Sequence, residues 1–383
     1  MYYFGRVENE MKGDIKMIVM DLRADNLFAF KNFHMNMSYP RRISNTFLED
    51  EFLKGRSNFR YKKVNIIMGG NATGKTSIGK LMMKIFNFIS KKNAEYICEI
   101  VCDNKKQATF SMDFIAKSYN LYRVETIIHP MESIEESMPK IDVVVKCVSI
   151  NKTDSYESCS KRLSEIQAES SNNYVEELSK IEKLTWMFSY PKNDTQFNFD
   201  DGNYLKILNY TLQALDPSIL KVEKIEDVED SYVIRTKTRD LVVQNGNVLK
   251  DDFLSSGTKS GIDIAYMIAA MREGGYGFFY CDEKFSYIHT DVEKAFLRVM
   301  INSLKENEQM FFTTHNTDVV DMQLPKHSYI FIKKDVDDED EPIKCISASQ
   351  FLKKNEDSLR NAIENDLFSV APNMELIYEI EEI

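Results

Sequence analysis

No apolar run in this chain of 383 residues approaches the ~18 residues that span a bilayer, so a helical membrane protein is excluded as an expectation. Residues 1–16 mix acids with bases and contain no apolar h-region, so no secretory signal is expected. Cysteine is sparse. The six cysteines are scattered, with no C-x-x-C pair and no Cys/His cluster at zinc spacing. Cys98 and Cys102 are spaced to share one face of a strand, and reduced, buried thiols in a cytoplasmic protein are expected. Positive charge is in deficit, at 49 Lys plus Arg against 60 Asp plus Glu for a net −11. That balance excludes a chain coated in basic surface for nucleic acid. A local basic cluster, Lys54, Arg56, Arg60, Lys62 and Lys63, reads as a solvated turn with polar flanks. No internal repeat and no sustained heptad is present, which excludes a coiled coil. The 43% hydrophobic and 28% charged residues are those of a globular protein.

What is present is more specific. Gly69-Gly70-Asn71-Ala72-Thr73-Gly74-Lys75-Thr76 fits G-x-x-x-x-G-K-[ST], the loop that cradles nucleoside triphosphate phosphates. The preceding Lys63–Met68 is apolar and reads as a buried strand. From Ser77 to Ser90, apolar residues recur at helical spacing: Ile78, Leu81, Met82, Ile85, Phe86 and Ile89. The loop thus lies between a strand and a helix. There its amides and the helix N-terminus favour phosphate. Gly69, Asn71, Gly74, Lys75, Thr76 and Ser77 are the expected nucleotide ligands. Lys75 would reach the β- and γ-phosphates and the Thr76 hydroxyl would ligate Mg²⁺.

A phosphate loop needs an acid partner. Gly277 to Glu283 supplies an apolar strand ending in two acids. Asp282 is expected in the Mg²⁺ shell, and Glu283 is expected to orient or deprotonate the attacking water. Leu254-Ser255-Ser256-Gly257-Thr258-Lys259-Ser260-Gly261 opens a helix from Ile262 onward. Such a start binds phosphate through backbone N–H groups and a serine hydroxyl, or is simply a serine N-cap. Beside a nucleotide site the former is preferred, with Ser255 and Gly257 as ligands. Thr313-Thr314-His315-Asn316 follows the next apolar strand, and His315 is placed to sense the γ-phosphate.

Between these motifs, Ile18–Met37 reads as strand, Glu95–Asp103, Gln107–Ile115 and Leu121–His129 read as an antiparallel meander with a turn at Asp103–Lys106 between the first two, and Val143–Ile150 reads as a further strand. Residues 151–216 turn polar, with Leu163, Ile166, Leu178, Ile181 and Leu184 at helical spacing, broken at Ser189–Pro191 and Asp200–Gly202. Tyr232–Leu249 returns to β around Asn245-Gly246-Asn247. Phe278–Cys281 and Met310–Thr313 are expected as buried strands with a helix over Asp291–Leu304 between them. Tyr329–Ile332 and Ile343–Ile346 flank an acidic hairpin loop, Asp335–Glu341.

The four motifs in this order resemble the ATP-binding-cassette ATPases, in particular the SMC/RecF/OLD-like branch of non-transporter ATPases. Gly69-x-Asn71-x-x-Gly74-Lys75-Thr76 resembles that branch's G-x-N-x-x-G-K-[ST]. Leu254-Ser255-Ser256-Gly257-Thr258 resembles the signature L-S-G-G-Q, departing at Ser256 and Thr258. Asp282–His289 resembles D-E-x-x-x-x-L-H, with Lys284 where proline is common, and His315 matches the switch histidine. The glutamine that usually follows the phosphate loop is not placed, Gln107 being a weak candidate.

The resemblance implies an α/β phosphate-loop fold of the cassette head type, with a central mixed sheet, an antiparallel β subdomain and a small helical insertion. It implies an N-terminal lobe over 1–150, the insertion over 151–220 and a C-terminal lobe over 221–383. ATP and Mg²⁺ are the implied ligands, in a cytoplasmic homodimer or higher oligomer. Ser255 and Gly257 would there contact the γ-phosphate held by the opposite subunit. Within the branch, Leu254–Gly261, Ser358-Leu359-Arg360-Asn361 and Phe368–Asn373 look most like ATPases of bacterial phage-defence and abortive-infection systems. The segment after His315 is too short for a separate nuclease domain, so an effector nuclease or toxin is expected on another polypeptide. The alternative is a RecF-like DNA-repair ATPase that binds DNA as an ATP-dependent dimer. A transporter subunit ranks last.

Overall fold

The computed structural model describes residues 17–40, 48, 50–131, 138–168, 171–189, 201–226, 228, 231–244, 247–248, 254–354, 357–369 and 378–380. The expected absence of a leader over 1–16, residues 190, 191 and 200 of the expected breaks, residues 245 and 246 of the expected turn and the phrase 370–373 lie outside these residues, while Asp201 and Gly202 open a helix. The chain begins with β1 (Ile18–Asp25), β2 (Phe33–Asn36), β3 (Phe52–Leu53), β4 (Arg56–Arg60), β5 (Val64–Met68), α1 (Lys75–Lys91) and α2 (Glu95–Cys98). It continues through β6 (Ala108–Ala116), β7 (Asn120–Ile128), β8 (Ile141–Ser149), α3 (Tyr156–Glu165), α4 (Tyr174–Leu178), β9 (Trp186–Phe188) and α5 (Asp201–Leu215). Then come β10 (Ile219–Lys224), β11 (Ser231–Thr236), β12 (Asp240–Gln244), β13 (Asn247–Val248), α6 (Ser256–Glu273), β14 (Phe278–Asp282) and α7 (Thr290–Ser303). The last elements are β15 (Gln309–Thr314), β16 (Tyr329–Lys334), β17 (Ile343–Ser347), α8 (Ala348–Phe351) and α9 (Leu359–Glu364). The fold is mixed α/β.

Two compact units form. The first comprises Met1–Lys63, Lys84–Trp186 and Glu306–Gln309; the second comprises Val64–Met83, Met187–Lys305 and Met310–Ile383. The first unit holds an antiparallel sheet in the order β2-β1-β6-β7-β8. From Tyr122 to Ile128, alternate residues of β7 are buried, the period of a half-covered strand, and Leu121 is buried on its other face. Ile18, Met20, Phe59, Tyr61, Ile115, Leu121 and Leu163 form one core there. Helix α3 starts with a capping box between Ser155 and Ser158. It is tied to the sheet where the Tyr156 hydroxyl donates to Asp113 Oδ2 at 2.8 Å and Arg123 binds both Asp113 oxygens at 2.6 and 2.7 Å. Burial raises the Asp113 carboxyl above its ordinary value, and Arg123 opposes that shift.

The second unit is built on a sheet ordered β17-β16-β5-β15-β14-β9. β15 and β16 flank β5 in parallel, and β17 closes one edge antiparallel to β16. Every residue of β5, β14 and β15 is buried, as for strands covered on both faces. A second sheet, β10-β11-β12-β13, packs with α5 and α6 around Leu208, Leu212, Ile234, Ile262 and Ala265. Gly261 permits the approach of α6 to α5, since a Cβ there would lie 2.5 Å from Leu215 Cδ1. At the C-terminus, Phe368 stacks on Phe331 at 3.9 Å, and Arg360 of α9 pairs with Asp318 and Asp321. Among the described residues, no helix is long and apolar enough to cross a membrane.

Several local expectations change. Glu95–Asp103 is not a strand: Glu95–Cys98 forms α2, whose N-cap Ala94 has no side-chain cap, and Asn93 Oδ1 accepts from the Glu95 amide at 2.9 Å in a local turn just ahead of it, which competes with β pairing over so short a run. Cys98 is therefore helical. Cys102 and Cys147 are exposed, and only Cys159 and Cys281 are buried, so the thiols are not a buried set. Ile166, Ile181 and Leu184 fall outside α3 and α4, and β9 interrupts the polar segment as an edge strand. Of the basic cluster, Lys62 and Lys63 are buried rather than solvated. Lys54 pairs with Glu306, and Arg56 lies 3.5 Å over the Tyr119 ring.

Candidate functional site

The second unit contains the phosphate loop, the acid pair and the histidine on neighbouring strands. β5 delivers the loop at Gly69, and β15 pairs with it so that Thr314 lies opposite Met68. His315 and Gly69 thus leave the ends of paired parallel strands. Two glycines are demanded by geometry. A Cβ on Gly69 would stand 2.6 Å from the Ile332 carbonyl oxygen, and Gly74 has φ +113°, which L side chains rarely adopt.

Lys75 opens α1, with its side chain buried. Its Nζ donates to the carbonyls of Gly69 at 2.8 Å and Gly70 at 2.9 Å, and it lies 3.1 Å from Glu283 Oε1. The ammonium is therefore held inside the loop's curve, where phosphate oxygens would compete for it. The Thr76 hydroxyl donates to Asp282 Oδ2 at 2.7 Å. The helix approaches β14 closely: Tyr280 donates its hydroxyl to the Lys75 carbonyl at 2.9 Å. A Cβ on Gly79 would meet the Tyr280 ring at 2.5 Å. Tyr280 is itself stacked between Phe188 and Phe311, and burial drives its hydroxyl well above the ordinary tyrosine value.

Asp282 ends β14 at 5% exposure. Burial raises its carboxyl above 3.8, while hydrogen bonds from Thr313 and Thr76 act in the opposite direction. Thr313 was not anticipated from the sequence. Its hydroxyl donates to Asp282 Oδ1 at 2.6 Å and accepts from the Glu283 amide at 3.0 Å. One hydroxyl thereby holds both acids. Glu283 sits at φ +45°, a strained region for a non-glycine residue, and its carbonyl accepts from Ser286 Oγ at 2.9 Å.

Ser255 is the N-cap of α6 and accepts from Thr258 N at 3.1 Å. The serine and Ser256 are exposed, while Gly257 is buried. A Cβ on Gly257 would lie 3.0 Å from the Tyr287 carbonyl, so the signature segment packs on the turn that follows the acid pair. Lys284 in that turn pairs with Asp263 of α6 at 2.6 Å. His315 is exposed, Asn71 is exposed and Ser77 is half-buried. Gln107 lies in the first unit, immediately before β6.

The oxygen donors suit a hard divalent cation. Thr76 and Asp282 offer two side-chain oxygens, and Mg²⁺ normally completes its shell with phosphate oxygens and water. Among the described residues, no cluster of three or more His, Cys, Asp or Glu is arranged to hold a metal. The constellation brings together a lysine in the loop's curve, a buried acid hydrogen-bonded to Thr76 and Thr313, and a second acid at the same strand end, groups of the kind phosphoryl transfer to water uses.

No family model and no curated protein matches the chain. Among solved structures it is similar to the Smc head domain with a coiled coil and joint from Pyrococcus yayanosii. That match has 10% identity and a TM-score of 0.48, covering 89% of this chain and 100% of the other. It is similar to the Pyrococcus furiosus Smc head domain bound to the C-terminal domain of ScpA, with 12% identity, a TM-score of 0.47 and coverage of 88% and 98%. It is also similar to the recombination mediator protein RecF with ATPrS, with 11% identity, a TM-score of 0.41 and coverage of 88% and 100%.

Proposed function

We propose that this chain is an Mg²⁺-dependent ATPase that dimerises around ATP. The observation that carries the reading is the linked set Lys75–Glu283, Thr76–Asp282 and Thr313–Asp282/Glu283 at the ends of β5, β14 and β15. Lys75 and the loop amides bind the phosphates. Thr76 and Asp282 hold Mg²⁺, which neutralises phosphate charge when bound. Glu283 orients the attacking water and takes its proton. Exposed Ser255 and the amides of the α6 N-terminus complete the site of a second copy, and His315 contacts the γ-phosphate.

The output of such a switch lies in a partner. In our reading the protein is cytoplasmic and controls a separate effector, a nuclease or toxin, in bacterial antiphage defence; the phrases around Leu254–Gly261 and Ser358–Asn361 support that assignment. The lobes at 1–150 and 221–383 and the insertion at 151–220 belong to the same proposal. The DNA-repair alternative is not adopted, because the chain carries a net charge of −11 and the expected insertion is short, both of which weigh against a DNA-embracing dimer.

The direct test is Lys75→Ala. It removes the charge-assisted phosphate contacts, so ATP binding by calorimetry and ATP turnover should both be lost. Unchanged turnover in that variant would sink the site assignment. Effector control is tested by the neighbouring gene: a nuclease or toxin supports it, and a replication gene or a membrane permease contradicts it.

A further inference from the structure

Glu293 is a charged side chain where the pattern of α7 calls for an apolar one. Its spacing to Leu297, Met300 and Ile301 places all four on the buried face of the helix, and Glu293 is only 3% exposed. A carboxylate taken out of water is costly unless its oxygens are satisfied. Here both are. Thr314 Oγ1 donates to Oε1 at 2.8 Å, and Asn316 Nδ2 donates to Oε2 at 2.6 Å. These donors are the residues on either side of His315. The same Asn316 amide reaches Thr290 Oγ1 at 3.2 Å, and the Asn316 backbone N–H donates to Thr314 Oγ1 at 3.0 Å. Asn316 Oδ1 in turn accepts from Asp318 N at 3.0 Å.

Strand alternation explains the division of labour. On β15, Thr313 points toward Asp282 and Glu283, so Thr314 must point to the other face, where α7 supplies Glu293. Helix α7 itself begins just after the turn that follows Glu283. A single buried carboxylate therefore ties the histidine loop to the helix that continues from the acid pair. Burial raises the Glu293 carboxyl above its ordinary value, and the hydrogen bonds from Asn316 and Thr314 pull against that shift, as expected for a group retained at some cost.

We propose that Glu293 is a positioning residue for His315, clamping the loop through Thr314 and Asn316 so that the imidazole is held for the γ-phosphate. The inference rests on the ATPase reading, and the test separates the two. Phosphate release and binding of a non-hydrolysable ATP analogue are measured for the wild type, Glu293→Ala, Glu293→Gln, His315→Ala and the Glu293→Ala/His315→Ala double variant. If the wild type releases no phosphate, the ATPase reading fails first.

Given wild-type turnover, Glu293→Ala should lower kcat roughly tenfold to a hundredfold with KM and analogue affinity nearly unchanged, the signature of lost orientation. His315→Ala should lose a similar factor. The double variant should lose no more than His315→Ala alone, since residues acting as a unit are not additive. Glu293→Gln keeps one acceptor for Asn316, and its amide can donate to Thr314, so turnover should recover to within about threefold of wild type. A structural role alone would give additive losses in the double variant. Additivity, a wild-type kcat in Glu293→Ala, no effect of His315→Ala, or an effect confined to KM overturns the proposal. Should Glu293→Ala fail to fold, Asn316→Ala cuts the clamp from the loop side and takes its place in the cycle, where the same losses are expected and additivity with His315→Ala again overturns the proposal.

Discussion

Thr313→Val probes the site at its most economical point. The substitution preserves shape and β-branching and removes one hydroxyl, yet that hydroxyl serves two groups. It donates to the buried Asp282 carboxylate at 2.6 Å and accepts from the Glu283 amide at 3.0 Å. A hydrogen bond to an ionised group contributes about 1.5–3 kcal/mol, and an amide left without an acceptor adds to the loss, for a total of about 2–4 kcal/mol. Part of this is recovered where water reaches the Glu283 amide. The functional cost follows from Glu283, which is held at φ +45° and relies on its neighbours to stay there. A shift of about 1 Å in its carboxylate should lower kcat by roughly a hundredfold. The assay pairs steady-state phosphate release with denaturant unfolding of the ligand-free protein. Thr313→Ser should restore most of both quantities. Full kcat in Thr313→Val would refute the claim that this hydroxyl sets the geometry of the acids, whatever happens to stability.

Two further outcomes are expected. Burial raises the Asp282 carboxyl above 3.8, so between that value and its folded value the native state holds more protons than the unfolded state, and wild-type stability falls as pH rises through that window. Asp282→Asn has no proton to lose; its unfolding midpoint should exceed the wild type's at neutral pH and converge with it in acid, while ATP hydrolysis disappears, and a variant less stable than wild type at neutral pH contradicts this. Ser255→Glu places a carboxylate where the second subunit's γ-phosphate would lie. It should bind ATP without dimerising or hydrolysing, and mixing it with Lys75→Ala should restore partial turnover through one intact composite site; full activity of Ser255→Glu alone would reduce the segment to a helix cap.

Much of the site was legible because its chemistry is local. Gly69 to Thr76 is contiguous, and its flanking strand and helix carry clear periodicities that become β5 and α1. Asp282 and Glu283 stood out as charges at the end of an apolar run. Thr313 was not legible as a functional residue, since a threonine in a strand is ordinary and its partners lie on another strand. Glu293 did leave a trace, as a charge on the apolar stripe of α7, but only the fold reveals that its partners flank His315. The α2 segment misled because a local turn between Asn93 and Glu95 leads into a single helical turn, and β9 because three residues are too few to show a period. Ser255 is engaged as an N-cap, and sequence spacing alone does not separate a cap from a phosphate ligand.

The central claim, that Glu283 acts on water at a phosphate held by Lys75, is tested most directly by phosphate release from Mg-ATP in the wild type and in Glu283→Gln, with ATP binding and light scattering on the same samples. The account predicts release by the wild type. It predicts that Glu283→Gln binds ATP, persists as a dimer and releases phosphate at least about a hundredfold more slowly, because the amide cannot accept the water's proton. Release at the wild-type rate from Glu283→Gln, or no release from the wild type, would contradict it.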